Sequence, residues 1–424
     1  MKKLGTILLA SVVCLGFSFN AAGSQSREID FDLHSTVYSY GESIDKVIFD
    51  TRELEIDETC LTTDLFQVEA EGKASIIVGP AVKMVSDDGL THLGPYKEMR
   101  EVKNIYVDNG RLVLDLVTQK NTAGRSTLDF TANFETLKGC NLSLDVNYAI
   151  TLTRPLKLKN GSEMTAVTFK QGQIVNEEIS KFNPGQLFGV KYQFYAPANA
   201  GDGKKHPLIV WFHGGGESGY RGILYNNSAQ LKANRGAVAL AGSEAQEIFG
   251  GAYVLAPQVP NEWSDSLQEV KALIDVIVRD NNIDTDRIYA YGCSAGGYMT
   301  LDMAVKNPGF FAAAVATCPA IDEANIGTYG EGRRITDEEL LTLKDTPLWL
   351  VQAKNDKTVK YEESALRVYE LLKDDAILTA YDSVIVDGDE YSGHEAWVYT
   401  ALNMPNHNGE HLWQWTARQS RSGN

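Results

Sequence analysis

The chain is short of positive charge. Its 424 residues include 39 lysines and arginines against 56 aspartates and glutamates, which gives a formal net charge of -17. This balance opposes binding to polyanions, so a nucleic-acid partner is excluded. It says little about a small-molecule substrate. The length suits two or three domains with at least one large core, and sets no oligomeric state.

Long apolar runs are absent after the first 23 residues, which excludes a further membrane-spanning helix. Residues 1–23 have a basic start, an apolar run over 7–19 and small residues at the end. This pattern predicts a bacterial-type signal peptide and a secreted or periplasmic protein that is not held at a membrane. The residues before Cys14 lack the pattern that lipidation normally uses, so we expect release after cleavage.

Cysteine is scarce. Loss of Cys14 with the signal peptide would leave Cys60, Cys140, Cys293 and Cys318, which allow three disulfide pairings. An exported protein can hold disulfides, and Cys60 and Cys140 both fall in the N-terminal part, where they could pair. Cys293 and Cys318 end two strands that are expected to be neighbours, and fit either a second bridge or two buried thiols.

Residues 25–180 have the pattern of strands and turns, and predict an all-β sandwich. The candidate strands are Asp45–Asp50, Ala74–Val78, Ile105–Val107, Arg111–Leu116 and Asn147–Leu152. His34 and His92 are expected in polar, loop-like surroundings, and neither has a companion at metal-ligand spacing. We predict no catalytic residue here. The sequence leaves open whether this region binds substrate, restricts access or stabilises its neighbour.

Residues 183–424 alternate between strands and helices, which predicts an α/β architecture with a mostly parallel sheet covered on both faces. The expected strands are Val190–Tyr195 at an edge, Leu208–Phe212, Tyr253–Pro257, Arg287–Tyr291, Phe310–Thr317, Leu348–Gln352 and Ser383–Val386, with a helix over Leu267–Asp280. The polar residues 321–345 lie where such folds often insert a lid or pocket wall.

A sharp turn between a strand and a helix is predicted at Tyr291-Gly292-Cys293-Ser294-Ala295-Gly296-Gly297. Serine is a poor nucleophile at neutral pH, so a catalytic serine must be exposed next to a base and a helix N-terminus. The flanking Gly292 and Gly296 allow strand and helix to approach closely. The sequence therefore predicts Ser294 as a nucleophile. Cys293, one residue before the apex, is interpreted as packing.

A glycine run follows the strand Leu208–Phe212, at His213-Gly214-Gly215-Gly216-Glu217. Backbone N–H groups that no side chain covers are good donors to an oxyanion. Gly215 in this run and Ala295, directly after the serine, are the predicted oxyanion donors. A plain glycine turn is the alternative. A phosphate-binding loop is excluded because no Gly-Lys-Ser/Thr ending is present.

An acid and a base are expected after the serine, in the order Ser, Asp, His. Asp356 comes just past the strand Leu348–Gln352, and His394 follows the last expected strand. We predict Asp356 as the acid that orients the imidazole and His394 as the base, with Asp387 and Asp389 in reserve. His213 precedes the serine and is interpreted as a loop residue.

A zinc site is the competing chemistry, because His407-Asn408-Gly409-Glu410-His411 matches a zinc-protease pattern. Gly409 disfavours the helix that this pattern needs, and no Asp or Glu follows His411 as a third ligand. We therefore predict no metal and no cofactor.

Four segments together resemble the α/β-hydrolase superfamily: Phe212–Ser218, Gly292–Gly297, Ala353–Asp356 and Gly393–Trp397. More narrowly, the chain resembles exported two-domain bacterial esterases with an immunoglobulin-like N-terminal domain, relatives of prolyl-oligopeptidase-like predicted peptidases and of feruloyl and polyhydroxybutyrate-type esterases. The resemblance covers residues 185–415 well and 30–175 more loosely. It implies a Ser294, Asp356 and His394 triad, and favours short acyl esters over peptides.

The sequence thus predicts a secreted serine esterase that acts through an acyl-enzyme on small-molecule or polysaccharide-linked esters. A serine peptidase with the same triad is one alternative. A non-catalytic surface or carbohydrate-binding protein is another.

Overall fold

The computed structural model describes residues 27–74, 81–82, 96–133, 138–218, 227–260, 262–322 and 333–423. The predicted signal peptide, His92 and most of the expected strand Ala74–Val78 lie outside these residues. Within the described part of the chain, no helix combines the length and apolarity needed to span a bilayer.

The N-terminal region is built from twelve strands and carries no α-helix among its described residues. They are β1 (Arg27–Tyr38), β2 (Gly41–Phe49), β3 (Phe66–Ala74), β4 (Ala81–Val82), β5 (Tyr96–Arg100), β6 (Val102–Asp108), β7 (Arg111–Leu116), β8 (Leu128–Asn133), β9 (Lys138–Leu152), β10 (Leu156–Lys157), β11 (Glu163–Met164) and β12 (Val167–Val175). One five-stranded sheet has the order β12-β1-β2-β7-β6 and a second has the order β4-β8-β9-β3-β5.

The two sheets bury one shared core. Alternate residues of β1 and β2, such as Phe31 and Phe49, point to the same cluster as Phe66 and Val68 of β3. The Phe49 and Phe66 rings stack across the sheets with centroids 5.3 Å apart. Alternation with period two is what buries one face of each strand. His34 does not lie in a loop as expected, because it is within β1 and its Nδ1 is 2.6 Å from Asp45 Oδ1.

The C-terminal region is organised around one eight-stranded sheet of order β13-β14-β16-β15-β17-β18-β19-β20. Its strands are β13 (Asn183–Leu187), β14 (Val190–Tyr195), β15 (His206–Phe212), β16 (Tyr253–Gln258), β17 (Ile283–Cys293), β18 (Ala313–Thr317), β19 (Leu348–Ala353) and β20 (Ala376–Tyr381). The first two pairings, β13 with β14 and β14 with β16, are antiparallel, and the others are parallel.

Helices cover both faces of this sheet. They are α1 (Ala229–Lys232), α2 (Gly236–Leu240), α3 (Ser243–Phe249), α4 (Leu267–Asp280), α5 (Ala295–Lys306), α6 (Asp337–Leu340), α7 (Ala365–Leu372), α8 (Trp397–Ala401) and α9 (Leu412–Arg418). In β15, Val210 packs with the core that α4, α5 and α7 bury, whereas its neighbour Trp211 packs with the core under α2, α3 and α9. A strand buried on both faces is a continuous apolar run, as predicted for this segment.

Three sequence predictions are corrected here. β14 is not at the edge, because β13 pairs with it on the outer side. The strand expected from Phe310 begins at Ala313. The segment expected as the last strand of the sheet forms a separate hairpin of β21 (Val384–Val386) and β22 (Asp389–Tyr391), while β20 completes the sheet. A further short pair, β23 (Asn406–His407) and β24 (Glu410–His411), precedes α9.

A buried carboxylate joins the two regions. Glu42 of β2 lies 3.0 Å from Lys232 Nζ of α1, and accepts hydrogen bonds of 2.8 Å from Ser35 Oγ and from Asn176 Nδ2. Burial alone would raise the pKa of Glu42, but the Lys232 ammonium and the hydrogen bonds lower the pKa below its usual value. The charged carboxylate is therefore part of the folded state at neutral pH.

Replacing Lys232 with Met is expected to lower the free energy of unfolding by about 3 kcal/mol, because it leaves a buried carboxylate without its cation. A group with a lowered pKa stabilises the fold above its unfolded pKa and loses that contribution as pH falls through the folded pKa. Without the cation, burial raises the pKa of Glu42, so protonation on acidification relieves part of this penalty, and the stability difference between the variant and the wild type should be smaller at pH 5 than at pH 7. Urea unfolding at pH 7 and pH 5 measures both effects.

The matched control is Lys360→Met, which removes an exposed pair with Glu363. Exposed pairs contribute little, so its urea midpoint should stay at the wild-type value. Equal midpoints for the Lys232 and Lys360 variants would contradict the role given to Glu42.

Candidate active site

Ser294 stands at the turn between β17 and α5. Its backbone has φ 57° and ψ -120°, a conformation that residues with a side chain rarely adopt. The turn is tight because the chain passes close to itself: a Cβ on Gly296 would lie 1.9 Å from the Phe212 carbonyl oxygen, and one on Gly292 would lie 2.2 Å from the Gly296 oxygen. Only glycine fits at these two positions, as the sequence predicted.

His394 lies on a short 3-10 turn, Gly393–Glu395, rather than in an irregular loop. The turn is fixed by a capping box, in which Ser392 Oγ accepts from the His394 N–H and the Glu395 carboxylate accepts from the Ser392 N–H. His394 Nε2 is 2.9 Å from Ser294 Oγ. The imidazole is thus within hydrogen-bond distance of the serine that it was predicted to serve.

Asp356 lies 2.9 Å, Oδ2 to Nδ1, from the other side of the His394 ring. Its side chain is fully buried and accepts from the Thr358 and Val359 N–H groups, each at 2.9 Å, and from Gln352 Nε2 at 3.1 Å. Because the Asp356 carboxylate accepts from Nδ1, a ring proton lies on that nitrogen, and Nε2 faces the Ser294 hydroxyl. The reserve candidates Asp387 and Asp389 lie in the hairpin β21–β22 instead.

The glycine loop lies beside the serine. A Cβ on Gly214 would be 3.7 Å from Ser294 Cβ, whereas a Cβ on Gly215 would have no described atom within 4 Å. Ala295 is the first residue of α5, and a helix provides no acceptor for its first N–H groups. The glycine loop thus approaches the serine at Gly214, and Ala295 follows the serine directly in the chain.

His213 is fully buried under the glycine loop. Its ring packs against Trp263 with centroids 4.4 Å apart, and its carbonyl accepts from Trp263 Nε1 at 3.1 Å. The residue holds the loop, in agreement with the interpretation from sequence.

The cysteines Cys293, Cys318 and Cys60 are free thiols. The alternative of two buried thiols at Cys293 and Cys318 is therefore the correct one, and burial raises the pKa of both. Cys60 hydrogen-bonds to Asp57, and the side chain of its proposed partner Cys140 lies outside the described atoms. Cys318 borders the site, because its Sγ is 3.2 Å from the His394 carbonyl oxygen.

The zinc-type segment forms the hairpin β23–β24 rather than a helix. His411 Nδ1 donates to the Asn403 carbonyl oxygen at 2.8 Å, and His407 Nε2 is 2.9 Å from Asn408 Nδ2. Among the residues that the structure describes, the candidate ligand atoms that cluster are those of Cys318, Asp356 and His394. His407 and His411 do not belong to that group.

The N-terminal region reaches the site at two places that the sequence did not indicate. Asn141 of β9 donates to the buried Glu217 carboxyl of the glycine loop, Nδ2 to Oε1 at 2.8 Å. Lys120 donates to the Glu390 carbonyl oxygen and lies 4.5 Å above the Tyr391 ring, close to the turn that carries His394. No local motif marks Asn141 or Lys120, because each acts through residues distant in sequence.

Comparison with known proteins matches residues 261–423, less than half of the chain, to the prolyl oligopeptidase family. A solved thermostable esterase is 24% identical, with a TM-score of 0.71 over 92% of this chain and 99% of that chain. Est1E from Butyrivibrio proteoclasticus is 18% identical, with a TM-score of 0.37 over 52% of this chain and 93% of that chain. An acylaminoacyl peptidase from Pyrococcus horikoshii is also 18% identical, with a TM-score of 0.38 over 72% and 55% of the two chains.

The likeness to the thermostable esterase extends over nearly the whole of both chains and shows a shared fold. The family match contains the serine turn and the segments that carry Asp356 and His394. The chain thus has the α/β-hydrolase fold, and its residues 261–423 are similar to the prolyl oligopeptidase family.

Proposed function

We propose that this protein cleaves carboxylic esters, with Ser294 as the nucleophile, His394 as the base and Asp356 as the orienting acid. The observation that carries the proposal is the continuous hydrogen-bonded chain from Ser294 Oγ through His394 to Asp356, with links of 2.9 Å each, beside a glycine loop. A neutral imidazole held in this tautomer is poised to remove the serine proton.

In the proposed reaction, Ser294 Oγ attacks the ester carbonyl carbon while its proton passes to His394 Nε2. The negative oxygen of the tetrahedral intermediate is held by the Gly215 and Ala295 N–H groups, near the N-terminus of α5. His394 returns the proton to the leaving alcohol, and an acyl-enzyme remains. Water, activated by the same imidazole, then releases the acid. The buried carboxylate of Asp356 stabilises the imidazolium at both stages.

Ester cleavage is preferred because a solved structure that is similar along nearly the whole chain is described as a thermostable esterase. Peptide or amide cleavage is the second candidate, supported by the prolyl oligopeptidase family match over residues 261–423. The two reactions share the nucleophile and the base, so the choice depends on the substrate.

A substrate panel separates the two candidates. We expect kcat/KM for short p-nitrophenyl esters to exceed that for aminoacyl p-nitroanilides by at least about 100-fold, and to fall from acetate to laurate. Methyl ferulate tests a hydroxycinnamate acyl group as found on plant polysaccharides. Faster cleavage of the anilides would instead assign a peptidase, and no turnover of either class by a folded protein that a fluorophosphonate does not label would favour a non-catalytic role.

We also propose that residues 1–23 direct export and are removed, and that the two-sheet N-terminal region is immunoglobulin-like. The composition of residues 1–23 supports the first proposal. The N-terminal sequence of the protein recovered from outside the cytoplasm tests it, since retention of Met1 would contradict cleavage.

A further inference from the structure

Glu217 is a carboxyl group that the proposed reaction does not use. It ends the glycine turn Gly215–Glu217 and is buried, with 7% of its surface exposed. Its carboxyl accepts from Asn141 Nδ2, and the Gly214 and Glu217 backbone N–H groups also donate to it. The side chain therefore ties the start and the end of the loop to a strand of the N-terminal region.

The Glu217 carboxyl and Ser294 both lie close to Gly214. The position that a Cβ of Gly214 would occupy is 3.3 Å from Glu217 Oε2 and 3.7 Å from Ser294 Cβ. Two residues after Gly214, a Cβ added to Gly216 would lie 3.1 Å from both Asn141 Nδ2 and the Phe130 ring. Asn141 and Phe130 of the N-terminal region thus pack against the glycine loop at Gly216.

Other anchors of the loop come from the C-terminal region. Gln258 of β16 donates to the Glu217 carbonyl oxygen at 2.8 Å, and Trp263 donates to that of His213. These bonds fix the two ends of the segment. The link to Asn141 is different because it crosses to the other region and reaches the side chain that holds the Gly214 N–H.

We propose that Glu217 is a positioning residue for the oxyanion donor Gly215, and that Asn141 of the N-terminal sheet fixes Glu217 in that role. The proposal rests on the proposed function of the same site. Hydrolysis would then depend on a hydrogen bond between the two regions, although Asn141 itself touches no substrate.

The charge of Glu217 gives this role a distinctive pH dependence. Burial raises the pKa of Glu217 to about 8, while the hydrogen bonds from Asn141 and from the two backbone N–H groups act in the opposite direction. Below that pH the carboxyl is neutral. Above it, a negative charge stands behind the loop that must hold an oxyanion, so kcat should fall as the pH rises through about 8.

Few other ionisable groups face this carboxyl. The buried Cys293 thiol of β17 lies near it, and the charge of Glu217 contributes to raising the pKa of that thiol. His213 stands at the start of the same loop, while β9 and β16 present the neutral side chains of Asn141 and Gln258. Within the described part of the chain, no lysine or arginine forms an ion pair with Glu217.

Asn141→Ala tests the proposal, with Arg235→Ala as its matched control. Arg235 joins the same two regions, but its hydrogen bonds go to Val37 and Glu178. We expect Asn141→Ala to lower kcat for p-nitrophenyl acetate about 10- to 100-fold with KM within about threefold, somewhat less than the loss of a whole oxyanion donor. Arg235→Ala should keep kcat within about twofold, and circular dichroism checks that both variants fold.

The pH dependence of kcat distinguishes a positioning role from a general loss of structural order, because a less ordered loop would lower kcat without shifting the pH at which kcat falls. Loss of the Asn141 hydrogen bond should shift the alkaline fall to higher pH, because that bond lowers the pKa of Glu217. In Glu217→Gln, which cannot ionise, the activity present at pH 7 should persist to pH 9.

The outcomes separate this inference from the function on which it rests. A wild type that is folded but neither turns over ester nor reacts with a fluorophosphonate would overturn both. An active wild type, together with an Asn141→Ala variant no slower than Arg235→Ala, would overturn the positioning role alone. A Glu217→Gln variant whose kcat still falls at alkaline pH as in the wild type would also overturn the positioning role. This test remains valid even if the Asn141 variant fails to fold.

Discussion

Ser294→Ala should lower kcat for p-nitrophenyl acetate by on the order of 10⁵-fold and abolish labelling by a fluorophosphonate. The substitution removes the one oxygen that His394 Nε2 approaches at 2.9 Å, and with it the acyl-enzyme route. Removal of a catalytic serine from a triad typically costs that much, since the remaining groups act only as a unit. The residual rate comes from the oxyanion donors and from substrate binding.

The fold should survive this change, because alanine at position 294 keeps the backbone of the turn and removes a single atom. Unfolding by urea should give the wild-type midpoint. Ser180→Ala, at an exposed position in the segment between the two regions, controls for loss of a hydroxyl and should retain full activity. Turnover by the purified Ser294 variant above a tenth of the wild-type rate would contradict the assignment of Ser294.

Gly296→Ala should have the largest effect on stability, a loss of about 3–5 kcal/mol. Its added methyl group would lie 1.9 Å from the Phe212 carbonyl oxygen and 2.5 Å from that of His213. Both contacts are with backbone atoms of β15 and the glycine loop, so no rotamer change relieves them. The helix α5 must move away from the central strand, which also displaces the Ala295 N–H.

Urea unfolding measures this loss, and Gly201→Ala is the control. Gly201 has an ordinary φ, and a Cβ added there would have no described atom within 4 Å, so an alanine should change the midpoint little or raise it slightly. If Gly296→Ala were as stable as Gly201→Ala, β15 and α5 would pack less closely than the distance of 1.9 Å between the added Cβ and the Phe212 carbonyl oxygen implies.

The local parts of the site could be predicted because each has a short pattern of its own. The turn at Ser294 follows an apolar strand and precedes an apolar helix, and the glycine loop follows another buried strand. Chain order then indicated Asp356 and His394. These predictions needed no knowledge of which residues meet across the fold, and the structure places the three side chains in one hydrogen-bonded chain.

What could not be predicted depends on contacts distant in sequence. Asn141 is 76 residues before the Glu217 that it contacts, and a lone Asn in a strand has no signature. β20 was missed because its six residues are all half-buried and show no alternation, while the more β-branched Ser383–Val386 nearby looked like the last strand. Cys318 has a φ of 38°, a conformation that its sequence gives no reason to expect beside the imidazole.

The contacts of the N-terminal region with both loops of the site have a consequence for recombination. Asn141 reaches the glycine loop, and Lys120 reaches the segment before His394. A chimera that joined residues 183–423 to an unrelated leading domain would lose both supports at once. We therefore expect recombination between homologues to succeed only where the partners of Glu217 and Tyr391 are exchanged along with them.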